Sequence, residues 1–184
     1  MKKICSTFLL ICMVFCAAAQ DISSFSLQVK AGVQLPGVYG KERDSVSMTN
    51  KTGLVAGLSA VSPISRHFVL KHDVWAAINK DQSRLDIFPI SAAFRMANAE
   101  LFAGPYSGIL LRADNYGNGS MQSGYATKND IGFTIGAGYT FRKKISIDVR
   151  YVRGLVTLIE DPGNKEQLKA YRQYVAVTLG YVLF

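Results

Sequence analysis

The segment Asp130–Arg142, DIGFTIGAGYTFR, leaves the chain very few folds. Ile131, Phe133, Ile135, Ala137, Tyr139 and Phe141 take the odd positions; Gly132, Thr134, Gly136, Gly138 and Thr140 take the even ones. Successive side chains on a strand point to opposite faces, so the odd residues make one apolar stripe. A helix fits badly. Three interior glycines would each cost about 1 kcal/mol, and helical winding would scatter the large groups around the axis. The run between the charged ends is long enough for a tilted strand to cross a bilayer, about 9–11 residues. The opposite face has little bulk, which suits the crowded inside of a narrow closed barrel. A sheet in lipid can have no open edge, so every other strand must obey the same alternation.

The rest of the chain does so. Phe25–Leu35 alternates without error, with Phe25, Leu27, Val29, Ala31, Val33 and Leu35 on one face; Pro36 and Gly37 are expected to end it. Gly53–Ser62 puts Leu54, Ala56, Leu58 and Ala60 outward, with Gly57 and Ser59 inward. Phe68–Ile78 sets Phe68, Leu70, Val74, Ala76 and Ile78 against Lys71, Asp73 and Trp75, and drops His72 onto the apolar face. Arg84–Phe94 contains Pro89, which has no N–H for the ladder, so a bulge is expected there. Glu100–Leu111 carries Leu101, Ala103, Ile109 and Leu111. Ile145–Leu155 opposes Ile145, Ile147, Val149 and Tyr151 to Ser146, Asp148 and Arg150. Tyr171–Phe184 alternates through Val175, Val177, Leu179, Tyr181 and Leu183. With the opening segment as the sixth, these make an all-β, eight-stranded antiparallel up-and-down transmembrane barrel. Three of the connections after odd strands are long and polar, and those after even strands are short. That asymmetry predicts external loops, periplasmic turns and both termini in the periplasm.

The first residues read as a processing signal. Lys2 and Lys3 precede an apolar run, Ile4–Cys16, and Ala17-Ala18-Ala19 supplies a small-residue cleavage pattern. Residues 1–19 are expected to be removed, leaving 20–184 as the barrel domain. Cys5, Cys12 and Cys16 all lie in that signal, so the mature chain has no thiol for disulfides, zinc or nucleophilic catalysis. Losing Lys2 and Lys3 leaves 19 Lys and Arg against 13 Asp and Glu, lowering the net charge from +8 to +6. The basic residues are dispersed, and no basic run or aromatic-basic alternation points to nucleic acid.

A soluble up-and-down barrel, such as a lipocalin-like carrier, shares the same alternation. Three features favour the membrane. Lys30, Lys71, Asp73, Asp148 and Arg150 sit mid-strand on the polar face, where a dry ligand-binding core would accept them only at high cost. Phe68, Tyr139, Phe141, Tyr151 and Tyr181 gather near strand ends, as interfacial girdles do. The chain also ends on Phe184.

Several short motifs follow one another along the chain. They are Ala19-Gln20, Ile87-Phe88-Pro89-Ile90, Ala103-Gly104-Pro105-Tyr106 with Gly108 and Leu110-Leu111, Asp130 with Gly132, and Gly136 with Gly138. Arg150-Tyr151, Gly154-Leu155 and Leu179-Gly180-Tyr181 follow, before Phe184. In this order the chain resembles small outer-membrane barrels of the PorT-like family, which share an architecture with OmpX and the OmpA membrane domain. The resemblance implies an eight-stranded barrel in the outer membrane of a Gram-negative bacterium, and no single activity. One departure is at the end, where Val182 and Leu183 separate Tyr181 from Phe184 and the family has one residue between them.

Sites for chemistry are sparse. His67 and His72 are the only histidines, and neither has metal-ligand spacing to another His or to Cys. No nucleophile elbow or phosphate-binding glycine loop occurs. No cofactor, metal or catalytic residue is therefore expected, and the chain reads as a non-enzyme. His72, alone on a lipid-facing stripe, is the one candidate for a lipid A-modifying enzyme; an interfacial histidine is the plainer reading. Lys30, Lys71, Asp73, Asp148 and Arg150 suit either an ion path or interior ion pairs, and a barrel of eight strands has room for side chains and little else. The loop from Asn115 through Tyr116 to Tyr125 has the small polar and tyrosine composition of adaptable binding loops and equally of an ordinary surface loop. Expected partners are outer-membrane lipid and lipopolysaccharide, the barrel-assembly machinery during insertion, and a protein or surface ligand at the loops. The role is then structural or adhesive, with lipid A modification or an accessory part in secretion as alternatives.

Overall fold

Each strand pairs antiparallel with its sequence neighbour, and the last returns to the first. The computed structural model describes residues 25–39, 52–80, 82–113, 129–142, 144–157 and 171–183. Among these are β1 (Ser26–Tyr39), β2 (Gly53–Pro63), β3 (Phe68–Ile78), β4 (Gln82–Met96), β5 (Ala99–Ala113), β6 (Asn129–Phe141), β7 (Ile145–Thr157) and β8 (Tyr171–Val182). The β1–β8 pairing, from Gln28↔Val182 to Tyr39↔Tyr171, closes the barrel. The predicted signal, the Asn115, Tyr116 and Tyr125 loop and Phe184 lie outside the described residues.

The wall is inside-out relative to a soluble protein. Leu54 (68 % exposed), Leu101 (64 %) and Leu179 (60 %) stand outside, whereas Lys30 and Asp73 (1 % each) and Arg150 (0 %) are enclosed. A continuous apolar exterior of this kind far exceeds the few hundred Å² that soluble monomers leave exposed. Apolar-out, polar-in alternation around a closed sheet is the transmembrane β-barrel arrangement.

Two proline positions show how the sheet handles a missing donor. Pro36 does not stop β1. The strand continues to Tyr39 against β8, while its pairing with β2 ends at Gln34↔Gly53. Among the described residues, Pro36 therefore has a paired strand on the β8 side only, and a proline tolerates an edge position. At Pro89 the expected bulge is present. Lys71 faces Ser91 and Asp73 faces Phe88, so His72 alone opposes both Pro89 and Ile90. A second shift, toward β5, lies between Ile87 and Ala92. Pro89 and Ile90 are both exposed, and the inward set changes parity from Arg84, Asp86 and Phe88 to Ser91 and Ala93. Nδ1 of His72 donates to the Pro89 carbonyl. The histidine on the apolar stripe thus holds the carbonyl that the bulge turns out of the ladder.

Inward glycines make room for rings. A methyl group on Gly136 would stand 2.6 Å from Cε2 of Phe102, and one on Gly57 would stand 2.8 Å from Cδ1 of Trp75. The empty face of β6 noted in the sequence is therefore filled from the opposite direction, by side chains of neighbouring strands.

Candidate functional site

Among the described residues, charge is concentrated in the lumen. The lumen is built as successive layers. Near the short-turn end, Ser146 donates to Gln28 Oε1 at 3.3 Å. Next, Lys71 pairs with Glu100 and lies 3.6 Å from Asp148; Glu100 also accepts from Arg95 at 2.9 Å. Lys30 pairs with Asp148 and reaches Asp73 at 3.4 Å. Asp73 accepts from Arg150 Nη2 at 2.6 Å. All of these side chains are buried except Arg95, which is half-buried at the rim.

Arg150 links this charged half to an aromatic belt. Its guanidinium carbon lies 4.1 Å from the Phe88 ring centre, 4.5 Å from Trp75 and 4.7 Å from Phe102. Among the described residues Nε and Nη1 have no hydrogen-bond acceptor, and the guanidinium lies over those three ring faces. Aromatic faces attract a desolvated guanidinium, by about 2 kcal/mol in the favourable cases. The rings continue across the lumen: Trp75 to Phe88 at 4.9 Å, Phe88 to Tyr106 at 5.5 Å, Tyr106 to Tyr174 at 6.2 Å.

Above the belt lies a second polar cluster. Asp86 accepts from Arg84 twice, at 2.8 Å and 2.6 Å, in a bidentate fork. The hydroxyls of Tyr106 and Tyr174 donate to the same carboxylate at 3.2 Å and 2.9 Å. The phenol ends of the belt thereby anchor to the upper ion pair, while its apolar faces hold Arg150.

The five charges expected inside, Lys30, Lys71, Asp73, Asp148 and Arg150, lie in one connected chain. It runs Arg150, Asp73, Lys30, Asp148, Lys71. The pairs join different strands. Lys71 and Asp73 share a face of β3, as Asp148 and Arg150 share one of β7, yet each finds its partner elsewhere. Glu100, Arg84, Asp86 and the belt itself were not anticipated as parts of the site. Parity was the available signal: Glu100 shares it with Phe102 and Tyr106, and Arg84 with Asp86 and Phe88. His72 lies outside this network, facing Ala60 on β2 and the Pro89–Ile90 bulge on β4. Neither neighbour supplies a nucleophile or an acid. Among the described residues no group of three or more His, Cys, Asp or Glu could hold a metal ion.

Solved structures share the architecture. Neisserial surface protein A aligns over 84 % of this chain and 96 % of its own, at 15 % identity and a TM-score of 0.52. Ail, the attachment invasion locus protein of Yersinia pestis, aligns over 87 % of this chain and 99 % of its own, at 11 % identity and a TM-score of 0.50; Ail has also been solved in complex with the heparin analogue sucrose octasulfate. At such identities the likeness establishes the fold, a small outer-membrane-type barrel, and nothing finer. No family model and no curated protein sequence matches the chain.

Proposed function

We propose that this protein is a small integral outer-membrane barrel with a structural, adhesive or partner-binding role, exercised through its external loops and outer wall. The observation that carries the reading is the filled lumen. A charged layer, a belt of four aromatic rings and a second charged layer follow one another along the axis. Such an interior leaves no water-filled path of the kind a porin uses. The long connections, including Asn115, Tyr116 and Tyr125, are then the surfaces offered to a partner, with both termini in the periplasm. Outer-membrane lipid and lipopolysaccharide surround the wall, and the barrel-assembly machinery handles insertion. The attachment role carried in Ail's name is one precedent for adhesion on this fold. The PorT-like motif order supports the same location and leaves an accessory role in secretion as a second reading, which a deletion strain assayed for secretion would test.

The direct test of the sealed lumen is conductance in a planar bilayer. Purified protein is expected to give no steady, salt-proportional current steps. Regular open channels in the parent protein would overturn the reading.

Catalysis at His72 is not part of this proposal. His72→Ala is expected to remove one hydrogen bond, costing about 1 kcal/mol, and to leave the barrel assembled. Lipid A from cells making the parent or the variant should have the same acyl pattern by mass spectrometry. An acyl chain added or removed only by the parent would make His72 catalytic.

A further inference from the structure

Among the described residues, the outer wall of the strands carries one cation where the lipid-facing stripe would lead one to expect an apolar group. Arg153 shares the outward parity of Ile145, Val149 and Leu155 on β7, which are 50 %, 47 % and 58 % exposed. A cationic side chain at the bilayer midplane costs about 2–4 kcal/mol, falling to about 0–1 near the interface. Its height on the wall therefore matters. Arg153 lies eight residues beyond Ile145, which begins β7 at the short-turn end. Eight residues of strand tilted by about 40° rise on the order of 20 Å, close to the height of an apolar band of about 25 Å. Arg153 thus stands near the top of the apolar band, where its long side chain can reach the headgroup level of the leaflet on the long-connection side.

The side chain is held there. Its guanidinium carbon lies 4.0 Å from the centre of the Tyr39 ring. Tyr39 is itself fixed, because its hydroxyl donates to the Gly154 carbonyl at 2.9 Å and its ring stacks on Tyr171 at 5.1 Å. Alongside, the Tyr151 hydroxyl donates to Gln173 Oε1 at 3.1 Å, so Gln173 is fixed too. Among the described residues no carboxylate pairs with Arg153, and its Nε, shielded from solvent, has no acceptor. A planar fork of donors, pre-oriented by a ring, at headgroup depth and without an anion, matches a phosphate group. We propose that Arg153, braced by Tyr39 and Tyr171, binds the phosphate of a membrane lipid headgroup on the outer wall formed by β7, β8 and β1. Under the orientation given above, that leaflet is the external one and the lipid is the phosphorylated glycolipid of lipopolysaccharide. This last step rests on that orientation, whereas the phosphate site itself does not.

The test uses the full barrel in zwitterionic phosphatidylcholine nanodiscs, titrated separately with bisphosphorylated lipid A, dephosphorylated lipid A and inorganic phosphate. Retained lipid is read by native mass spectrometry. The parent is expected to bind bisphosphorylated lipid A at least tenfold more tightly than the dephosphorylated form, and Arg153→Gln to abolish the difference. Arg153→Lys should recover part of it, which separates binding from misfolding. Equal binding by parent and Arg153→Gln, equal binding of both lipid A forms, or saturation by inorganic phosphate alone at the same concentration would each overturn the proposal. Labelling of a loop cysteine in intact cells tests the orientation independently. Loops that face inward would refute the choice of leaflet while leaving the nanodisc result to judge the site.

Discussion

Asp73→Ala is expected to lower the stability of the folded barrel by about 3–5 kcal/mol, the usual cost of stripping one partner from a buried ion pair. Asp73 is the only carboxylate that pairs with Arg150 among the described residues, and it also supports Lys30. Removing it takes away the acceptor of Nη2 and leaves the buried guanidinium with three ring faces as company. The measurement is the urea midpoint of the barrel in detergent micelles or lipid vesicles. Asp73→Leu combined with Arg150→Met should recover a large part of the loss, because a buried pair replaced as a unit leaves no orphan charge. Asp148→Ala should also destabilise, though less, since Lys30 and Lys71 keep Asp73 and Glu100 respectively. Leu27→Val, on the lipid-facing stripe, should stay within about 0.5 kcal/mol of the parent, as substitutions at unconstrained surface sites do. An Asp73→Ala midpoint equal to that of Leu27→Val would show that the interior charges are hydrated and independent.

Gly57→Val is expected to remove most of the folded population. Gly57 lies opposite Trp75 on β3, and a Cβ there would stand 2.1 Å from the Val74 carbonyl oxygen and 2.8 Å from both Cα and Cδ1 of Trp75. The indole cannot retreat, because Phe88 backs it at 4.9 Å and Arg150 covers its face at 4.5 Å. Overpacking a filled core costs about 1–3 kcal/mol, and more when backbone must move. The band that shifts on boiling in a denaturing gel reads the folded fraction directly. Gly57→Ala should fall between parent and Gly57→Val, and Trp75→Leu in the Gly57→Val background should restore only part of the folded fraction, because the Val74 carbonyl and the Trp75 Cα stay in place. If Gly57→Val migrates and melts like the parent, the belt has slack that the packing distances do not show.

Strand identity and facing were legible in the sequence, because alternation over ten or more residues has one physical cause in a membrane barrel. β6 and β3 needed no tertiary information. Where reading along the chain failed, a neighbouring strand was responsible. β1 runs past Pro36 because β8 is there to pair with it beyond the end of its pairing with β2. The inward face of β4 changes parity at Pro89, and only the register with β3 shows that His72 absorbs the extra residue.

The interior charges were legible as a set and not as pairs. Parity says that Lys71 and Asp148 point inward. It says nothing of height, which depends on strand tilt and stagger around the whole barrel. Glu100, at the start of β5, looks like a turn residue by position, yet the stagger brings it to Lys71. Likewise nothing in the spacing of Trp75, Phe88, Tyr106 and Tyr174 announces a belt, since four strands contribute one ring each. Arg153 escaped notice for the same reason, being one outward cation on a stripe whose depth the sequence does not state.

The ladder of interior pairs also fixes when, during assembly, the inside can become dry. Lys30 and Asp148 are 118 residues apart, Tyr174 and Asp86 are 88 apart, and Arg150 and Asp73 are 77 apart. Contacts this remote in sequence form late, because the loops that join their partners must close first. Until β7 arrives, Lys30 has no Asp148 and Asp73 has no Arg150, so both must keep their water. The half-built sheet is therefore a trough with a wet floor and a greasy underside. Its final seam, β1 to β8, expels that water at the moment the hydrogen bonds of the last edge are made.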